Sequence, residues 1–194
     1  MISLLLSYIL SLNFKNYLLS SIFCSNTSIL CTVDKKGLSN LFVLLKKSNF
    51  FNFKSLVDIY GMDFLGRSVN YRFLVYYIFY NRDNGITLTL KVPLNYNDMI
   101  ISAVSQYSSA SWLEREVFDM YGIFFYKNND MRRILSDYGF DGFPLRKDFP
   151  LTGFFEVQYS EEEKVVISQN TKVTQALRLF HFSNVWDLTR KKNK

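Results

Sequence analysis

The hydrophobic positions in the first fifty residues predict a strand, a turn and a helix. Residues 27–33 are apolar and β-branched, which is typical of a strand, and residues 34–37 have the composition of a turn. The apolar residues that follow have the i, i+3, i+4, i+7 spacing of a helix with one buried face: Leu38, Leu41, Phe42 and Leu45. Lys46 and Lys47 fall in its last turn, where the helix dipole favours cations.

Three apolar runs in the middle of the chain, at residues 53–60, 70–80 and 86–92, predict three more strands. The second run is apolar on both of its alternating faces, so we expect it to be central in a sheet and covered on both sides. The pair Asn84-Gly85 separates the second run from the third, and it predicts a hairpin because both residues tolerate positive φ. Pro93 is expected to end the third strand.

Two helices are predicted after the third of these strands. Asn97 or Asp98 is suited to cap a short helix that runs through Val104, and residues 110–121 predict a longer helix. The order strand, helix, three strands and helix predicts an α+β fold with a mixed sheet and helices on one face. We expect an extended irregular carboxyl-terminal strap to follow this domain.

The helix predicted over residues 110–121 combines an apolar face with several charges. Its apolar face is formed by Leu113, Val117, Met120 and Tyr121, and Gly122 is a suitable left-handed stop. Glu114, Arg115 and Asp119 are predicted to lie off that face. Arg115 and Asp119 have the spacing of an i, i+4 ion pair. Glu114 and Glu116 point apart at i, i+2 spacing, which argues against a catalytic carboxylate pair.

The stretch after this helix has neither helical nor strand periodicity. Acidic and basic side chains alternate there with large aromatic rings, whereas solvated loops seldom carry so many rings. We therefore expect ion pairs to fix an irregular segment against a partner. A short hairpin is predicted further on, at residues 155–159 and 164–167.

These patterns predict three parts of the chain. Residues 1–25 form an apolar extension, residues 26–123 an α+β domain, and residues 124–194 an extended partner-binding segment. Within the extension, the apolar run 2–10 is too short to span a membrane and predicts a helix packed on the domain or on a partner, with a weak membrane contact as the alternative.

Charge and composition limit the classes of function. The net charge of +6 permits a nucleic-acid partner, and a basic RNA-associated or ribosomal protein is the alternative to consider. However, residues 114–150 contain six basic and seven acidic residues, whereas a nucleic-acid groove has a continuous basic excess. The first half of the chain has no nucleotide-binding, hydrolase or zinc-protease motif, which disfavours a stand-alone enzyme.

The residues that could bind a metal are few. The chain has two cysteines, Cys24 and Cys31, too few for a disulfide framework and with a spacing that fits no common zinc or iron–sulfur pattern. The single histidine, His181, is expected to be a packed or interface residue rather than a ligand or a general base.

Residues 110–158 closely resemble one family, the 30-kilodalton-type subunit of respiratory complex I. The matching residues are Trp112-Leu113-Glu114-Arg115-Glu116, Asp119-Met120-Tyr121-Gly122-Ile123, Arg132-Arg133-Ile134-Leu135, Asp137-Tyr138-Gly139-Phe140, Pro144-Leu145-Arg146-Lys147-Asp148-Phe149-Pro150-Leu151 and Gly153-Phe154-Phe155-Glu156-Val157. Two departures replace histidines of the family pattern. This chain has Asn128-Asn129-Asp130 before the double arginine, and Phe143 before Pro144.

The resemblance implies a non-catalytic structural subunit in the peripheral, quinone-module arm of proton-pumping NADH:ubiquinone oxidoreductase. It implies contact with the 49-kilodalton-type subunit and with other peripheral-arm subunits, and no nucleic-acid partner. No cofactor is expected in this chain, and FMN and iron–sulfur clusters are expected in partner subunits. The implied location is the matrix side of the mitochondrial inner membrane, with the cytoplasmic face of a bacterial plasma membrane as the alternative and membrane association through the complex.

The residues expected at the partner interface all lie in the matching stretch. They are Glu114, Arg115, Glu116, Arg132, Arg133, Asp137, Tyr138, Phe140, Arg146, Lys147, Asp148 and Phe149.

Overall fold

The computed structural model describes residues 18–25, 27–173, 175, 178 and 180. The helix expected over residues 2–10, the histidine at 181 and the basic carboxyl terminus lie outside the described residues. The helices are α1 Leu38–Lys47 and α2 Ala110–Tyr121, and a 3₁₀ turn, Lys35–Gly37, precedes α1. The strands are β1 Leu18–Ser25, β2 Ser28–Val33, β3 Ser55–Asp63, β4 Phe73–Asn81, β5 Ile86–Leu94, β6 Ile100–Ile101, β7 Phe125–Tyr126, β8 Phe155–Ser160 and β9 Val165–Asn170.

Five strands form one mixed sheet in the order β1-β2-β5-β4-β3. The β2–β5 pair is parallel and the other neighbours are antiparallel, so α1 and the β3–β4 hairpin lie between the two parallel strands in sequence. Asn81 pairs with Ile86 across the turn that contains Asn84 and Gly85, which confirms the predicted hairpin. The α+β class is confirmed.

Both helices pack on the same face of this sheet. The buried face of α1 is the predicted one, and its Phe42 ring lies 5.2 Å from the ring of Tyr77 on β4. Gly61 of β3 pairs with Val75 and therefore faces the same side as Tyr77, because neighbouring residues across a ladder share a face. A Cβ on Gly61 would lie 2.8 Å from the Tyr121 ring of α2, so this glycine admits the end of the helix.

In the part of the chain that the structure describes, the other face of the sheet is only partly covered. On β4, Leu74 is buried, Tyr76 and Ile78 are half-buried, and Tyr80 is exposed. The rings of Tyr60 and Tyr76 stack across the strands at 4.8 Å. The prediction that this strand is covered on both sides was therefore wrong for its outer end.

The short helix predicted through Val104 is not formed. Ile100 and Ile101 instead form β6, which pairs in parallel with Phe125 and Tyr126 of β7 beyond α2. This pairing is non-local, and both isoleucines are buried in it; β-branched residues favour strands over helices. Asp98, considered as a helix cap, pairs with Lys35 and accepts a hydrogen bond from the Asn95 N–H.

The chain divides into two compact units, Met1–Leu151 and Thr152–Lys194. The second unit contains the β8–β9 hairpin, which the sequence predicted. The domain was predicted to end after Ile123, whereas residues 124–151 group with the sheet in the structure. The sheet also extends into the range assigned to the amino-terminal extension, because β1 pairs with β2.

Candidate protein-binding surface

Glu114 joins α2 to the segments on either side of it. Its carboxylate accepts hydrogen bonds from the Ser102 hydroxyl (2.7 Å), the Ala103 N–H (2.6 Å) and the Asn128 amide (2.9 Å). Burial raises the pKa of the Glu114 carboxyl, and these three donors oppose the rise. Asn128 occupies one of the positions where the family pattern has histidine, and its amide supplies a donor to this buried acid.

The prediction that Glu114 lies off the buried face was wrong. Ala110, Glu114 and Val117 are all buried, at spacings of four and three residues that bring them onto one side of α2. A carboxylate was assigned to the outside because buried acids are rare unless they are paired or hydrogen-bonded. Here the donors come from Ser102, Ala103 and Asn128, which lie outside the helix.

Asp119 organises the irregular segment after β7. Its fully buried carboxylate accepts hydrogen bonds from the main-chain N–H groups of Ile134 (3.0 Å), Leu135 (2.7 Å) and Ser136 (3.0 Å). The Ser136 hydroxyl (2.5 Å) and the Arg133 guanidinium (3.3 Å) donate to its other oxygen. Burial alone raises the pKa of this carboxyl, but the donors outweigh it and lower the pKa to about 2.

Arg115 does not pair with Asp119, so the predicted i, i+4 ion pair was wrong. Arg115 is buried, and its Nε donates to the Arg132 carbonyl at 2.9 Å. Its guanidinium lies 3.6 Å from the Asp130 carboxylate and 5.0 Å from the Trp112 ring. Arg115 and Asp119 therefore both bond to the segment after β7, and their hydrogen-bond partners there lie 14 to 17 residues away in sequence.

Arg146 fixes the next part of the segment to the end of α2. Its Nε donates to the Tyr121 carbonyl at 2.6 Å, and its guanidinium lies 4.3 Å from the centre of the Phe143 ring. Gly122 follows the helix with φ +71°, and a Cβ there would lie 2.5 Å from the Arg146 guanidinium and 2.7 Å from the Phe143 ring. Glycine is required here for both reasons, its φ and the close approach.

A second connection joins the segment to the sheet. The Asp63 carboxylate at the end of β3 accepts a hydrogen bond from the Lys147 N–H at 3.0 Å. Arg72 lies between two acids, 2.7 Å from Asp148 and 3.5 Å from Asp63. The Arg72 hydrogen bond lowers the pKa of the Asp148 carboxyl. Residues 146–148 are thus held by groups that are distant in sequence.

The aromatic rings of the segment fall into two groups. Phe140 packs on Phe149 at 5.9 Å, and Phe143 packs on Phe118 of α2 at 6.3 Å, so these rings find contacts within the chain. Tyr138, in contrast, is fully exposed. The neighbouring Trp112, on α2, is 65% exposed. The expectation that these rings need an external partner was therefore wrong for Phe140, Phe143 and Phe149, which find contacts inside the chain, whereas Tyr138 is exposed.

Trp112 and Tyr138 border an open groove of about 810 Å³ between α2 and the segment. Its other lining residues include Arg115, Asp130 and Arg132. Arg132 is anchored at Asp130 by two hydrogen bonds of 2.8 and 2.9 Å while most of its side chain stays exposed. Tryptophan, tyrosine and arginine are the residues that most often dominate binding at protein interfaces. We call this feature the α2 groove.

The twelve residues predicted at an interface differ in their exposure. The exposed ones are Glu116, Arg132, Asp137, Tyr138, Lys147 and Asp148. The half-buried ones are Arg133, Phe140, Arg146 and Phe149, and the buried ones are Glu114 and Arg115. The buried and half-buried arginines and Glu114 make the internal contacts described above, so they hold the surface in shape.

Several residues of this arrangement were not among the predicted site residues, among them Trp112, Asp119, Asp63 and Arg72. Trp112 could have been found, because it lies off the predicted apolar face that contains Leu113 and Val117, and an exposed tryptophan indicates a contact surface. Asp63 and Arg72 act on residues 76 to 84 positions away, and no local spacing indicates such contacts.

Comparison with known proteins decides the family. Residues 31–155 match the family model described as respiratory-chain NADH dehydrogenase, 30 Kd subunit. The chain belongs to this family. The resemblance found in the sequence is confirmed, and the match covers more of the chain than the closely similar stretch 110–158.

Relatives of this 30-kilodalton subunit come from bacteria and from a plant. The chain is 43% identical over 147 residues to an NADH-quinone oxidoreductase subunit of Dinoroseobacter shibae, which covers 76% of this chain and 67% of the relative. It is 41% identical over 164 residues to the corresponding protein of Paramagnetospirillum magneticum, covering 84% and 80%. It is 42% identical over 150 residues to NADH dehydrogenase (ubiquinone) iron-sulfur protein 3 of Beta trigyna, covering 77% of each.

A solved structure shares the fold of the 30-kilodalton subunit. It is a chain of the membrane-bound sulfane sulfur reductase, an archaeal respiratory membrane complex, with 21% identity and a TM-score of 0.61. The superposition covers 75% of this chain and 85% of that chain. At this identity the likeness concerns the fold alone.

As a 30-kilodalton subunit, the chain is a component of the respiratory NADH–quinone oxidoreductase complex, and its partners are other subunits of that complex. The alternative of an RNA-associated protein is not favoured. Among the described residues, no helix is both long and apolar enough to cross a membrane. Within the same part of the chain, no group of three His, Cys, Asp or Glu side chains is placed to hold a metal ion.

Proposed function

We propose that the chain is a structural subunit that joins other subunits of the peripheral arm and performs no chemistry of its own. The observation that carries this proposal is the use of its buried charges. Glu114 and Asp119 each accept at least three hydrogen bonds from this chain, and Asp63 is bound to Lys147 and Arg72. These acids hold the backbone of the segment after β7 in place, and they therefore make its surface rigid.

The partner at the α2 groove is the 49-kilodalton-type subunit, and the contact residues are Trp112, Arg132 and Tyr138. The groove supports this role because Arg132 is hydrogen-bonded to Asp130 and Trp112 lies on the Arg115 guanidinium, so these two side chains lose little conformational entropy on binding. Asp137 lines the same groove, and Glu116, Lys147 and Phe149 are proposed as further contacts of this subunit. In this proposal the FMN and the iron–sulfur clusters belong to partner subunits, which carry electrons from NADH to ubiquinone.

We place the subunit in the quinone module, on the matrix side of the mitochondrial inner membrane or on the cytoplasmic face of a bacterial plasma membrane. Its association with the membrane is indirect, through the complex. The similarity to a plant protein and to bacterial NADH-quinone oxidoreductase subunits supports both locations.

The proposal is tested by co-expression of the full chain with the 49-kilodalton-type subunit of the same organism. We expect the two chains to co-purify as a stable pair, and the purified chain alone to oxidise no NADH. Separate elution of the two chains, or turnover by the isolated chain, would contradict the scaffold role. Loss of co-purification in the double variant Trp112→Ala/Tyr138→Ala would locate the contact at the α2 groove.

A further inference from the structure

The β8–β9 hairpin has two faces of different chemistry. Residues that pair across an antiparallel ladder lie on the same face, and the register pairs Val157 with Ser168 and Tyr159 with Val166. One face therefore carries Phe155, Val157, Tyr159 and Val166. We call these four residues the apolar hairpin face, and each is between 55% and 62% exposed.

The opposite face is largely polar, and three of its side chains are hydrogen-bonded to one another. The Gln169 amide donates to Glu156 at 3.1 Å and to Gln158 at 2.6 Å. Two apolar residues also lie on this side: Val165, which is exposed and pairs with Ser160, and Ile167, which is half-buried and pairs with Gln158. The contrast between the faces indicates that the apolar side is the one that is covered in the assembled protein.

A two-stranded hairpin needs such a cover. An isolated hairpin is marginally stable in water, because two strands bury too little apolar surface to offset the ordering of the backbone. Both strands also have a free edge, since each pairs only with the other in the described structure. An apolar contact on one face supplies the missing burial.

The turn of the hairpin indicates the chemistry of the cover. Glu161, Glu162 and Glu163 follow one another there and are exposed, and Lys164, also exposed, is the single basic residue of the same turn. Three adjacent carboxylates are repelled by anionic lipid headgroups and by nucleic-acid phosphates, and they favour a surface that carries Lys or Arg side chains.

We propose that the apolar hairpin face docks on another protein subunit, on an apolar strip that ends at a cluster of basic side chains. The strip covers Phe155, Val157, Tyr159 and Val166, and the basic cluster receives the three glutamates of the turn. This inference rests on the proposed function, because it takes the partner from among the other subunits of the same complex. It adds a second attachment point, separate in sequence from the α2 groove.

The test places a photo-cross-linking residue, p-benzoylphenylalanine, at Phe155 in one preparation and at Val165 in another. Each variant is incorporated into the whole respiratory complex, irradiated, and analysed by mass spectrometry. We expect Phe155 to cross-link to a peptide of a different subunit that combines apolar residues with Lys or Arg. Val165, on the other face of the same hairpin, is expected to give no such product.

A second arm uses substitutions that keep strand propensity. The variant Val157→Thr/Val166→Thr retains β-branched side chains of the same shape, so the hairpin is expected to form, while each hydroxyl is costly to bury. We expect its hairpin amides to exchange at least about tenfold faster within the complex, which corresponds to about 1.4 kcal/mol of lost docking energy. The control Val165→Thr is expected to exchange like the wild type.

The outcomes separate this inference from the proposed function. Cross-links from Phe155 to this chain itself, to a second copy or to nothing would overturn the docking proposal, and so would equal exchange in both threonine variants. If the wild-type chain is absent from the complex altogether, the proposed function fails and the docking proposal fails with it. A wild-type chain that assembles with a freely exchanging hairpin contradicts the docking proposal alone.

Discussion

The carboxylate of Asp119 is bound twice by Ser136, through the main-chain N–H at 3.0 Å and through the hydroxyl at 2.5 Å. This pair joins the last turn of α2 to a segment that has no regular secondary structure of its own. Because the N–H groups of Ile134 and Leu135 converge on the same oxygen, one buried acid sets the backbone of three residues. The fully exposed Tyr138 follows two positions later.

The variant Asp119→Asn is expected to lose about 2–4 kcal/mol of stability at neutral pH, since an amide cannot accept all of these hydrogen bonds. The pKa of Asp119 is lowered from its usual 3.8 to about 2 in the folded chain. The acid therefore contributes stability above pH 3.8, and that contribution is lost as the pH falls through 3.8 towards 2.

Urea unfolding of wild type and Asp119→Asn between about pH 2 and about pH 7 measures this contribution. The difference in the free energy of unfolding between the two proteins should shrink by roughly 2 kcal/mol at the acid end of this range. Asp141→Asn, an exposed acid of the same segment, is the control and should stay within about 0.5 kcal/mol of wild type at neutral pH. A constant difference across the range would contradict the role assigned to Asp119.

Gly122→Ala and Gly139→Ala form a matched pair. Both glycines have positive φ, +71° and +72°, but a Cβ at Gly122 would collide with Arg146 and Phe143 while a Cβ at Gly139 meets no atom within 4 Å. We expect about 1 kcal/mol of destabilisation at Gly139, from φ alone, and at least about 2–3 kcal/mol at Gly122. Thermal unfolding of both variants checks this, and equal losses would argue against tight packing at Gly122.

Arg146→Ala and Asp148→Ala are expected to act differently, although both residues lie in the matching sequence stretch. Arg146 bonds the end of α2 and packs on Phe143, so its removal should cost the full chain about 1–3 kcal/mol. Asp148 is half exposed and pairs with Arg72, so its removal should cost less than about 1 kcal/mol. Denaturant midpoints of the two variants test this order, and a larger loss at Asp148 would reverse it.

Local sequence patterns were sufficient to predict most helices and strands of this fold. The spacing of Leu38, Leu41, Phe42 and Leu45 predicted α1, and Gly122 marked the end of α2 with its left-handed conformation. The pair Asn84-Gly85 predicted the central hairpin because both residues tolerate positive φ, and Gly85 adopts φ +63° in the structure. These signals depend on neighbours within a few residues.

Long-range contacts explain what the sequence did not predict. Glu114 and Asp119 were assigned to the outside of α2 because their donors, between residues 102 and 136, cannot be foreseen from the helix alone. The parallel pair β6–β7 joins residues separated by the whole of α2. The segment 124–151 was expected to need a partner to hold its charges, but Asp63, Arg72 and α2 hold most of them.

The central proposal is that the α2 groove is a binding surface whose shape is maintained by the buried charges of Glu114, Arg115 and Asp119. This role is tested by assembly of the respiratory complex with the double variant Trp112→Ala/Tyr138→Ala, followed on native gels with mass spectrometry of the co-migrating chains. The control is Phe50→Ala, an exposed aromatic residue outside the groove. We predict that the double variant keeps the wild-type melting temperature as an isolated full chain but is missing from the complex, whereas Phe50→Ala assembles. Normal assembly of a folded double variant would contradict the binding role of the groove.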